Sequence, residues 1–391
     1  MEFIMFLPNH YEFACPVKTN SGNRALEHLP VELDALNARK PLVITSQDTA
    51  GKGLVDVLIN AFRDSGITIG VFDGVPTSPD LILIRELFRI YRDGGYDALI
   101  ALGGGPAADT AKTLNIAVSG EPEDIETSAG ENLIKKPLKP LVYVPTLSGT
   151  GYETSRYAFF GNKVYASHFL MPDLVVIDPR MTVPEDAKTA AATALVALTQ
   201  AAEVYVSPGK NPLTDSYAYT AIQLIMENLV TVINNPQVKQ GRLALANAHC
   251  MAGCAFSNAA PGIAHALGKA SGDACGVSHG LCMGILLPYV LEGYLSVSGY
   301  HIADLLMPLA GFDVYAGTAE EKRAEKAVDT IYDLQKELFK VSGGAIPRTL
   351  KDANVSKNIL KDIAVKAAGG ASTGLDSDGC LTVLEQAWEG R

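Results

Sequence analysis

The hydrophobic pattern divides the chain into two halves of different character. In the first half, short apolar runs rich in β-branched residues alternate with amphipathic stretches. This alternation is typical of parallel strands separated by helices that cover both faces of a sheet. The predicted strands are 41–46, 67–73, 97–102, 140–145 and 173–178, and two of the intervening predicted helices are 53–63 and 81–91.

In the second half, from about Glu185, apolar residues recur with helical spacing and no run reads as a convincing strand. The predicted helices cover 187–206, 215–234, 242–254, a segment around His265, 280–295, a long helix that ends near Val341, and two more near the C-terminus. We therefore predict an α/β domain with a parallel sheet over residues 1–182 and an all-α domain over residues 183–391.

Composition and charge narrow the class of protein. The chain has 391 residues, of which 48% are hydrophobic and 19% charged, as in a globular protein with a large core. Its net charge of −11 disfavours nucleic acid and anionic membranes as partners, although a local pocket can still be positive. The first residues lack the basic region of a signal peptide and no apolar run reaches the length of a membrane span, so we expect a cytoplasmic protein.

Six cysteines in a chain of this length do not indicate a disulfide framework. Cys250 and Cys254 are four residues apart, a spacing that could place two thiolates on one helix face. Buried core cysteines are the favoured interpretation, because free cysteine is commonly a small core residue.

A glycine-rich turn follows the predicted strand 97–102 and opens a helix. It reads Gly103-Gly104-Gly105-Pro106 and continues through Asp109 to Lys112. Glycines at a strand-to-helix turn let backbone N–H groups approach a pyrophosphate, and the helix dipole adds to the attraction. Pro106 suits the first helical position. The G-x-G-x-x-G fingerprint is absent, so a plain tight turn is the alternative interpretation.

A second turn, residues 145–153, also follows a strand and contains Thr146 and further hydroxyl and glycine residues. Both turns come at the carboxyl ends of their strands, where open α/β sheets bind ligands. Together they predict a nucleotide site.

Two histidines, His265 and His279, lie fourteen residues apart among small and apolar residues. Histidine is a common metal ligand and proton shuttle, so the pair suggests a site. Two satisfied core or interface histidines are the alternative.

These motifs resemble those of the iron-containing (group III) alcohol dehydrogenases over nearly the whole chain. The family pattern G-G-G-S-x-x-D-x-A-K appears at 103–112 with Pro106 in place of serine, and P-T-T-x-G-T-G-S-E appears at 145–153 with Leu147 and Tyr152 substituted. The L-x-P-D-x-x-x-x-D-P pattern is at 170–179, and a further match begins at His279. The resemblance implies a Rossmann-like NAD(P)-binding domain followed by a helical catalytic domain, the dehydroquinate synthase-like architecture.

The resemblance also implies the cofactor contacts. In the family they fall on positions that match Gly104, Gly105, Pro106, Asp109, Thr146 and Lys163. A family aspartate that binds the adenosine ribose is Ser46 here, which removes a repulsion against the extra phosphate of NADP. Asp48 lies nearby, so NAD and NADP both stay open.

The metal-ligand positions are where this chain departs from the family. The resemblance places one aspartate and three histidines at Val196, Gln200, His265 and His279. Valine cannot coordinate a metal and the glutamine amide is a weak, neutral ligand, so we expect no divalent metal. A rearranged site that uses Asp273 or a cysteine is the open alternative.

Without a metal, side chains must polarise the carbonyl group and supply a proton. The candidates are Lys269, at the position of a further family histidine, together with His265 and His279. A buried lysine has a lowered pKa and can act as an acid, and an ammonium can hold an oxyanion or an anionic substrate group. The alternatives for Lys269 are a surface lysine and a pair with Asp273, four residues on. Tyr152 is expected to narrow the substrate site.

The resemblance and these departures from it therefore predict an NAD(P)-dependent alcohol dehydrogenase that reduces a small aldehyde or ketone without a catalytic metal. The substrate can be anionic. The first alternative is an iron or zinc enzyme with unusual ligands. The second is a non-catalytic NAD(P)-binding assembly subunit. The expected quaternary state is a homodimer.

Overall fold

The computed structural model describes residues 7–122, 124–146, 153–161, 163–259, 262–368 and 375–391. The chain divides into two compact units. One is Ala14–Val183, and the other is Pro184–Arg391 together with residues 7–13.

The first unit is built on a six-stranded parallel sheet. The strands of the unit, in chain order, are β1 (Lys18–Ser21), β2 (Pro41–Ile44), β3 (Gly70–Phe72), β4 (Ala98–Gly103), β5 (Gly130–Glu131), β6 (Leu141–Pro145), β7 (Tyr157–Phe160), β8 (Lys163–Ala166) and β9 (Leu174–Ile177). The large sheet has the order β1-β9-β6-β4-β2-β3, and every pair in it is parallel. The predicted parallel sheet is confirmed.

A second sheet of three short strands, in the order β5-β8-β7, was not predicted. Strand β7 pairs with β8 in the antiparallel direction. The strands of this sheet are only two to four residues long, which is too short for hydrophobic periodicity to reveal.

Helices flank the large sheet. They are α1 (Leu29–Ala35), α2 (Gln47–Gly51), α3 (Leu54–Asn60), α4 (Leu81–Gly94), α5 (Gly105–Ser119) and α6 (Asp124–Thr127), with 3₁₀ turns at Ala25–His28 and His168–Leu170. Helix α4 illustrates why they form: Asp80 caps its first turn by accepting the Leu83 N–H, and Gly95 ends it at φ 62°. Its buried residues share one face at helical spacing, so the helix packs with a single apolar stripe.

The second unit is helical. It contains α7 (Ala187–Val206), α8 (Pro212–Asn234), α9 (Lys239–Ser257), α10 (Ile263–Cys275), α11 (His279–Ala310), α12 (Phe312–Gly317), α13 (Arg323–Val341), α14 (Leu360–Ala368) and α15 (Ser377–Glu389), with 3₁₀ turns at Glu320–Lys322 and Lys357–Ile359. The residues described from Pro184 onwards include no strand, and the predicted helical second half is confirmed. Helix α11 runs well past the predicted 280–295 and bends at Ser298, where φ is −124°.

Helices α7 and α11 are long and apolar enough to cross a membrane by length and composition. However, 72% and 67% of their most apolar windows are buried inside the structure. Burial of this extent is what the core helices of a large globular unit show, so the two helices carry little weight as membrane spans.

Glycines let α11 approach α7 closely. A Cβ built at Gly280 would lie 2.9 Å from Val196 Cγ2 and closer still to the Ala192 carbonyl, and one built at Gly284 would overlap Leu195. The beginning of α11 therefore packs directly against the α7 face that contains Val196. This contact places the start of α11, with His279, beside Val196 of α7.

Candidate functional site

The turn after β4 has the shape that a phosphate site needs. Gly103 has φ +143°, and a Cβ there would lie 3.2 Å from Ala107 Cβ, so the position requires glycine. Gly104 is the N-cap of α5 and no side chain caps the helix. Nothing lies within 4 Å of a Cβ built at Gly105. Pro106 is the second residue of α5 rather than the first, because the helix already begins at Gly105.

The first N–H groups of a helix have no intrahelical acceptor, and they stand at the positive end of the dipole. At α5 these groups come from a glycine-rich turn with open space beside Gly105. The residues present therefore fit the pyrophosphate of a dinucleotide.

Thr146 lies beside this turn, as predicted from the strand order. It is buried, its N–H donates to the Gly103 carbonyl at 3.4 Å, and Gly103 faces Pro145 across the β4–β6 pair. The two turns thus share the carboxyl edge of the sheet. Residues 147–152 of the second turn, Tyr152 among them, lie outside the described residues.

Asp109 and Lys112 hold α5 against β7. Asp109 Oδ1 accepts the Phe159 N–H at 3.0 Å, and Lys112 Nζ donates to the carbonyls of Ser155 and Tyr157 at 2.8 and 2.9 Å. Burial lowers the pKa of Lys112 to about 8, although Asp109 acts in the opposite direction. The role of Asp109 in the structure is therefore at least partly to fix the backbone, whether or not it also contacts a cofactor.

Ser46 caps α2, which follows β2. Its hydroxyl accepts the Thr49 N–H at 3.3 Å. Asp48 is exposed and forms an ion pair with Lys52 at 2.6 Å. Lys163, at the start of β8, forms an ion pair with Glu126. No carboxylate replaces the family aspartate at position 46, so the NADP option stays open.

In the helical unit, one face of α7 carries two of the positions at which the resemblance implies metal ligands. Val196 and Gln200 are four residues apart, and Glu203 follows three residues later, so all three lie along one side of the helix. Gln200 is completely buried. Among the described residues, neither its amide nitrogen nor its amide oxygen has a hydrogen-bond partner. Leaving a buried polar group unsatisfied costs about 1–3 kcal/mol, so this amide is unusual.

Glu203 holds the start of α10. Its carboxylate accepts the N–H of Ala264 at 2.6 Å and the N–H of His265 at 3.1 Å. Gly262 has no room for a Cβ because it lies against this carboxylate. Burial raises the pKa of Glu203 to about 7, although both hydrogen bonds act to lower it. The sequence analysis did not single out Glu203, although a lone carboxylate within the apolar stretch 195–206 was the available signal.

His265 is buried and packs against Phe256, with ring centroids 5.0 Å apart. Burial, followed by the charges of Lys269 and His279, lowers its pKa to about 4, so the imidazole is neutral at pH 7. Its Nδ1 has no hydrogen-bond partner among the residues that the structure describes.

Asp273 gathers three basic side chains. His279 Nε2 lies 3.1 Å from one carboxylate oxygen, while Lys269 and Lys366 lie 3.3 and 3.5 Å from the other. The His279 ring lies over Gly272, where a Cβ would overlap it. Burial lowers the pKa of His279, and Asp273 opposes that shift. The sequence missed Lys366, which α14 brings to the cluster.

The expectation that Lys269 is buried was wrong. Its side chain is 41% exposed and pairs with Asp273, which is the alternative that the four-residue spacing allowed. The side chain extends along α10 towards its partner instead of entering the core.

Comparison with known proteins assigns the family. Residues 16–179 match the model of the iron-containing alcohol dehydrogenases, and residues 190–376 match the model of their C-terminal region. The chain belongs to the iron-containing alcohol dehydrogenase family. The predicted resemblance is thereby confirmed, and so is the predicted enzyme class, an oxidoreductase that acts on CH–OH donors.

Individual relatives span nearly the whole chain. Long-chain-alcohol dehydrogenase 1 of Geobacillus thermodenitrificans is 31% identical over 360 residues, which cover 90% of this chain and 89% of the relative. NAD-dependent methanol dehydrogenase of Bacillus methanolicus is 28% identical and covers 91% and 94%. The crystal structure of a 1,3-propanediol oxidoreductase superposes with a TM-score of 0.90 at 28% identity, covering 97% of this chain and all of that one.

The donor set of this family member does not fit the iron that the family name implies. Val196 offers only hydrocarbon, and Asp273 already contacts two ammonium groups. Within the described ranges, no group of three or more His, Cys, Asp or Glu residues could hold a metal ion. Cys250 and Cys254 are both buried core residues on α9.

Proposed function

We propose that this iron-containing alcohol dehydrogenase family member transfers a hydride between NAD(P) and a small aldehyde or ketone without a catalytic metal. The observation that carries the proposal is the α7 face, where a valine and a completely buried glutamine occupy two of the four family ligand positions. A hydrocarbon and a neutral amide cannot replace a carboxylate and an imidazole around Fe(II) or Zn(II).

The α/β unit supplies the cofactor site. The backbone N–H groups of Gly104 and Gly105 and the α5 dipole would hold the pyrophosphate, with Thr146 beside it and Ser46 at the adenosine ribose. When bound, the nicotinamide supplies or accepts the hydride. Serine at position 46 brings no negative charge against a 2′-phosphate, so both NAD and NADP are admitted.

The helical unit supplies the polar groups for the substrate. His265 is a neutral imidazole at pH 7, because burial lowers its pKa to about 4. His279 is 44% exposed and contacts Asp273, so it can exchange a proton with solvent and pass it to or from the reacting oxygen. Lys269 is the third candidate at this site.

We further propose that an anionic group on the substrate is accepted. Lys269 and Lys366 bring two ammonium groups to a single carboxylate, Asp273, so the cluster keeps a net positive charge. A substrate carboxylate, sulfonate or phosphonate is the chemical class that such a cluster would hold.

The test of the metal-free proposal is a turnover assay with chelator and metal arms. Wild-type protein dialysed against EDTA should keep its aldehyde reduction with NADH or NADPH, and added Fe, Zn or Mn should not raise it. The matched variant Val196→Asp/Gln200→His returns a carboxylate and an imidazole to α7. It should bind about one Zn or Fe per chain on elemental analysis, as four such donors suffice for a zinc site.

Turnover that strictly depends on an added metal would contradict the proposal and favour the enzyme with unusual ligands. NAD(P) binding without turnover of any aldehyde in a broad panel would favour the non-catalytic subunit. The homodimeric state and the cytoplasmic location stay predictions, and sedimentation of the purified protein tests the first.

A further inference from the structure

Gln200 differs from the other buried polar side chains described in the helical unit, because both polar atoms of its amide lack a hydrogen-bond partner there. It is completely buried, and neither atom of its amide has a hydrogen-bond partner within the described residues. Folded proteins pair nearly all such groups, and an exception needs a cause. A substrate that binds beside the amide would provide one.

The helix packing places this amide between the two histidines. Val196, one turn before Gln200 on α7, lies against Gly280, the neighbour of His279. Glu203, one turn after Gln200, accepts the backbone N–H of His265. The α7 face therefore presents Gln200 between its contact with the start of α11 and its contact with the start of α10.

The two histidines are also near each other. The His279 ring lies over Gly272 of α10, where a Cβ would overlap it, and Gly272 comes two turns after His265 on the same face of that helix. His265 Nδ1 is a second buried polar atom without a partner among the described residues. Two unsatisfied polar groups on adjacent helices support a binding site for a small polar ligand more strongly than the Gln200 amide alone would.

We propose that the Gln200 carboxamide binds the reacting oxygen of the substrate. Its Nε2–H donates to the carbonyl oxygen of the aldehyde or ketone, and in the reverse direction the same N–H donates to the oxygen of the alcohol as that oxygen loses its proton. The proposal rests on the metal-free reductase function proposed above, since it assigns to this amide the contact that a metal would otherwise make.

The reaction balances with the groups named. The hydride leaves the reduced nicotinamide with its electron pair and forms a C–H bond at the carbonyl carbon, so the nicotinamide is oxidised. The π pair of the C=O bond moves to oxygen, where the amide N–H stabilises the growing negative charge. The oxygen then takes a proton that His279 supplies and regains from solvent.

The test replaces Gln200 by leucine and compares it with Thr199→Val. Thr199 is the adjacent residue on α7, equally buried, and its hydroxyl also lacks a partner among the described residues. Gln200→Leu should lower kcat/KM about 100-fold, the typical loss for one donor to a developing oxyanion, with most of the loss in kcat. Thr199→Val should leave kcat/KM unchanged.

Thermal unfolding separates catalysis from folding. Because the Gln200 amide has no partner to lose, Gln200→Leu should keep or raise the Tm while activity falls. A further variant, Gln200→Glu, keeps the shape but donates only when its carboxyl group is protonated. Its kcat/KM should be low at high pH and recover as pH falls, a profile that a purely structural role would not give.

The outcomes distinguish failure of this inference from failure of the metal-free function on which it rests. If wild-type turnover survives EDTA and Gln200→Leu keeps its kcat/KM within about threefold, the inference is overturned and the metal-free function stands. If wild-type turnover requires added metal, the metal-free function itself fails. Loss of activity with an equal loss of Tm in Gln200→Leu, and without recovery of Gln200→Glu at low pH, would assign the amide to folding and also overturn the inference.

Discussion

Glu203 and His265 are two buried titratable residues whose pKa values are shifted in ways that have opposite effects on stability. The Glu203 carboxylate caps α10 through the His265 N–H, and burial raises its pKa from 4.5 to about 7. Burial lowers the pKa of His265 from 6.5 to about 4, with Lys269 and His279 adding to the effect. Tyr294 on α11 also faces Glu203, whose charge raises the tyrosine pKa further.

The signs follow from proton binding. Between pH 4.5 and 7 the folded state holds the Glu203 proton more tightly than the unfolded state, so this contribution to stability is present at low pH and is lost as pH rises to 7. The His265 contribution is present above pH 6.5 and is lost as pH falls towards 4. Each shift corresponds to at most about 3 kcal/mol, and the two nearly cancel.

The variant Glu203→Gln should remove one side of this balance. It keeps an acceptor for the α10 N–H groups but does not titrate, so only the His265 contribution to the pH dependence of stability is left. The free energy of unfolding of the variant, measured in urea, should fall more steeply than that of wild type between pH 6.5 and pH 4.5. Parallel curves for the two proteins would show that the Glu203 pKa is not raised in the folded state.

The four positions at which the resemblance implies metal ligands could be assigned to helices from sequence, since the motif spacing fixes Val196, Gln200, His265 and His279 on their helices. The surroundings of Lys269 could not. Its exposure and its link to Lys366 through Asp273 depend on how α14 packs, and Lys366 lies far along the chain. Local periodicity carries no information about such a contact.

At the scale of elements, the β4–α5 turn contains two glycines that we expect to be needed for different reasons, one for the backbone conformation and one for the cofactor. Gly103 needs glycine for its backbone, at φ +143°. Gly105 is helical, with nothing within 4 Å of a built Cβ, so the fold does not need glycine there. A requirement for glycine at position 105 would therefore come from the cofactor.

The matched variants Gly105→Ala and Gly103→Ala test this difference. Gly105→Ala should hold or raise the Tm, because alanine is favoured over glycine in a helix by about 0.5–1 kcal/mol, while weakening NAD(P) binding at least about tenfold. Gly103→Ala should cost about 1–3 kcal/mol of stability. Cofactor fluorescence titration and thermal unfolding measure the two effects, and unchanged NAD(P) affinity in Gly105→Ala would place the pyrophosphate elsewhere.

The elements that sequence predicted are those held by buried apolar residues. All five predicted strands are present, and four of them, β2, β4, β6 and β9, are fully buried. The fifth, β3, is a partly exposed edge strand that its apolar residues still revealed. The other edge strand, β1 (Lys18–Ser21), is mostly exposed and polar, and its pairing with β9 rather than its composition makes it a strand. A local pattern misses such a strand, because it forms through a partner that is distant in the chain.

At the scale of the whole molecule, a net charge of −11 repels anions. An anionic substrate therefore needs local positive charge, and the cluster of Lys269, Lys366 and Asp273 is where the helical unit provides it. The contribution of Lys366 can be isolated, because α14 carries a second exposed lysine, Lys361, which has no recorded contact with the cluster among the described residues. Replacing either lysine by methionine changes the net charge equally, from −11 to −12.

Lys366→Met should lower kcat/KM for an aldehyde that carries a carboxylate, sulfonate or phosphonate by about 5–10-fold, the effect of one exposed ion pair of about 1 kcal/mol. Lys361→Met should lower this kcat/KM much less, since the two variants have in common only the greater long-range repulsion between the protein and the anionic substrate. A neutral aldehyde of similar size should be reduced equally well by wild type and both variants. The same loss in both variants would assign the effect to net charge. No loss for any anionic aldehyde would exclude Lys366 from substrate binding, because only Lys366 is proposed to contact the anionic group directly.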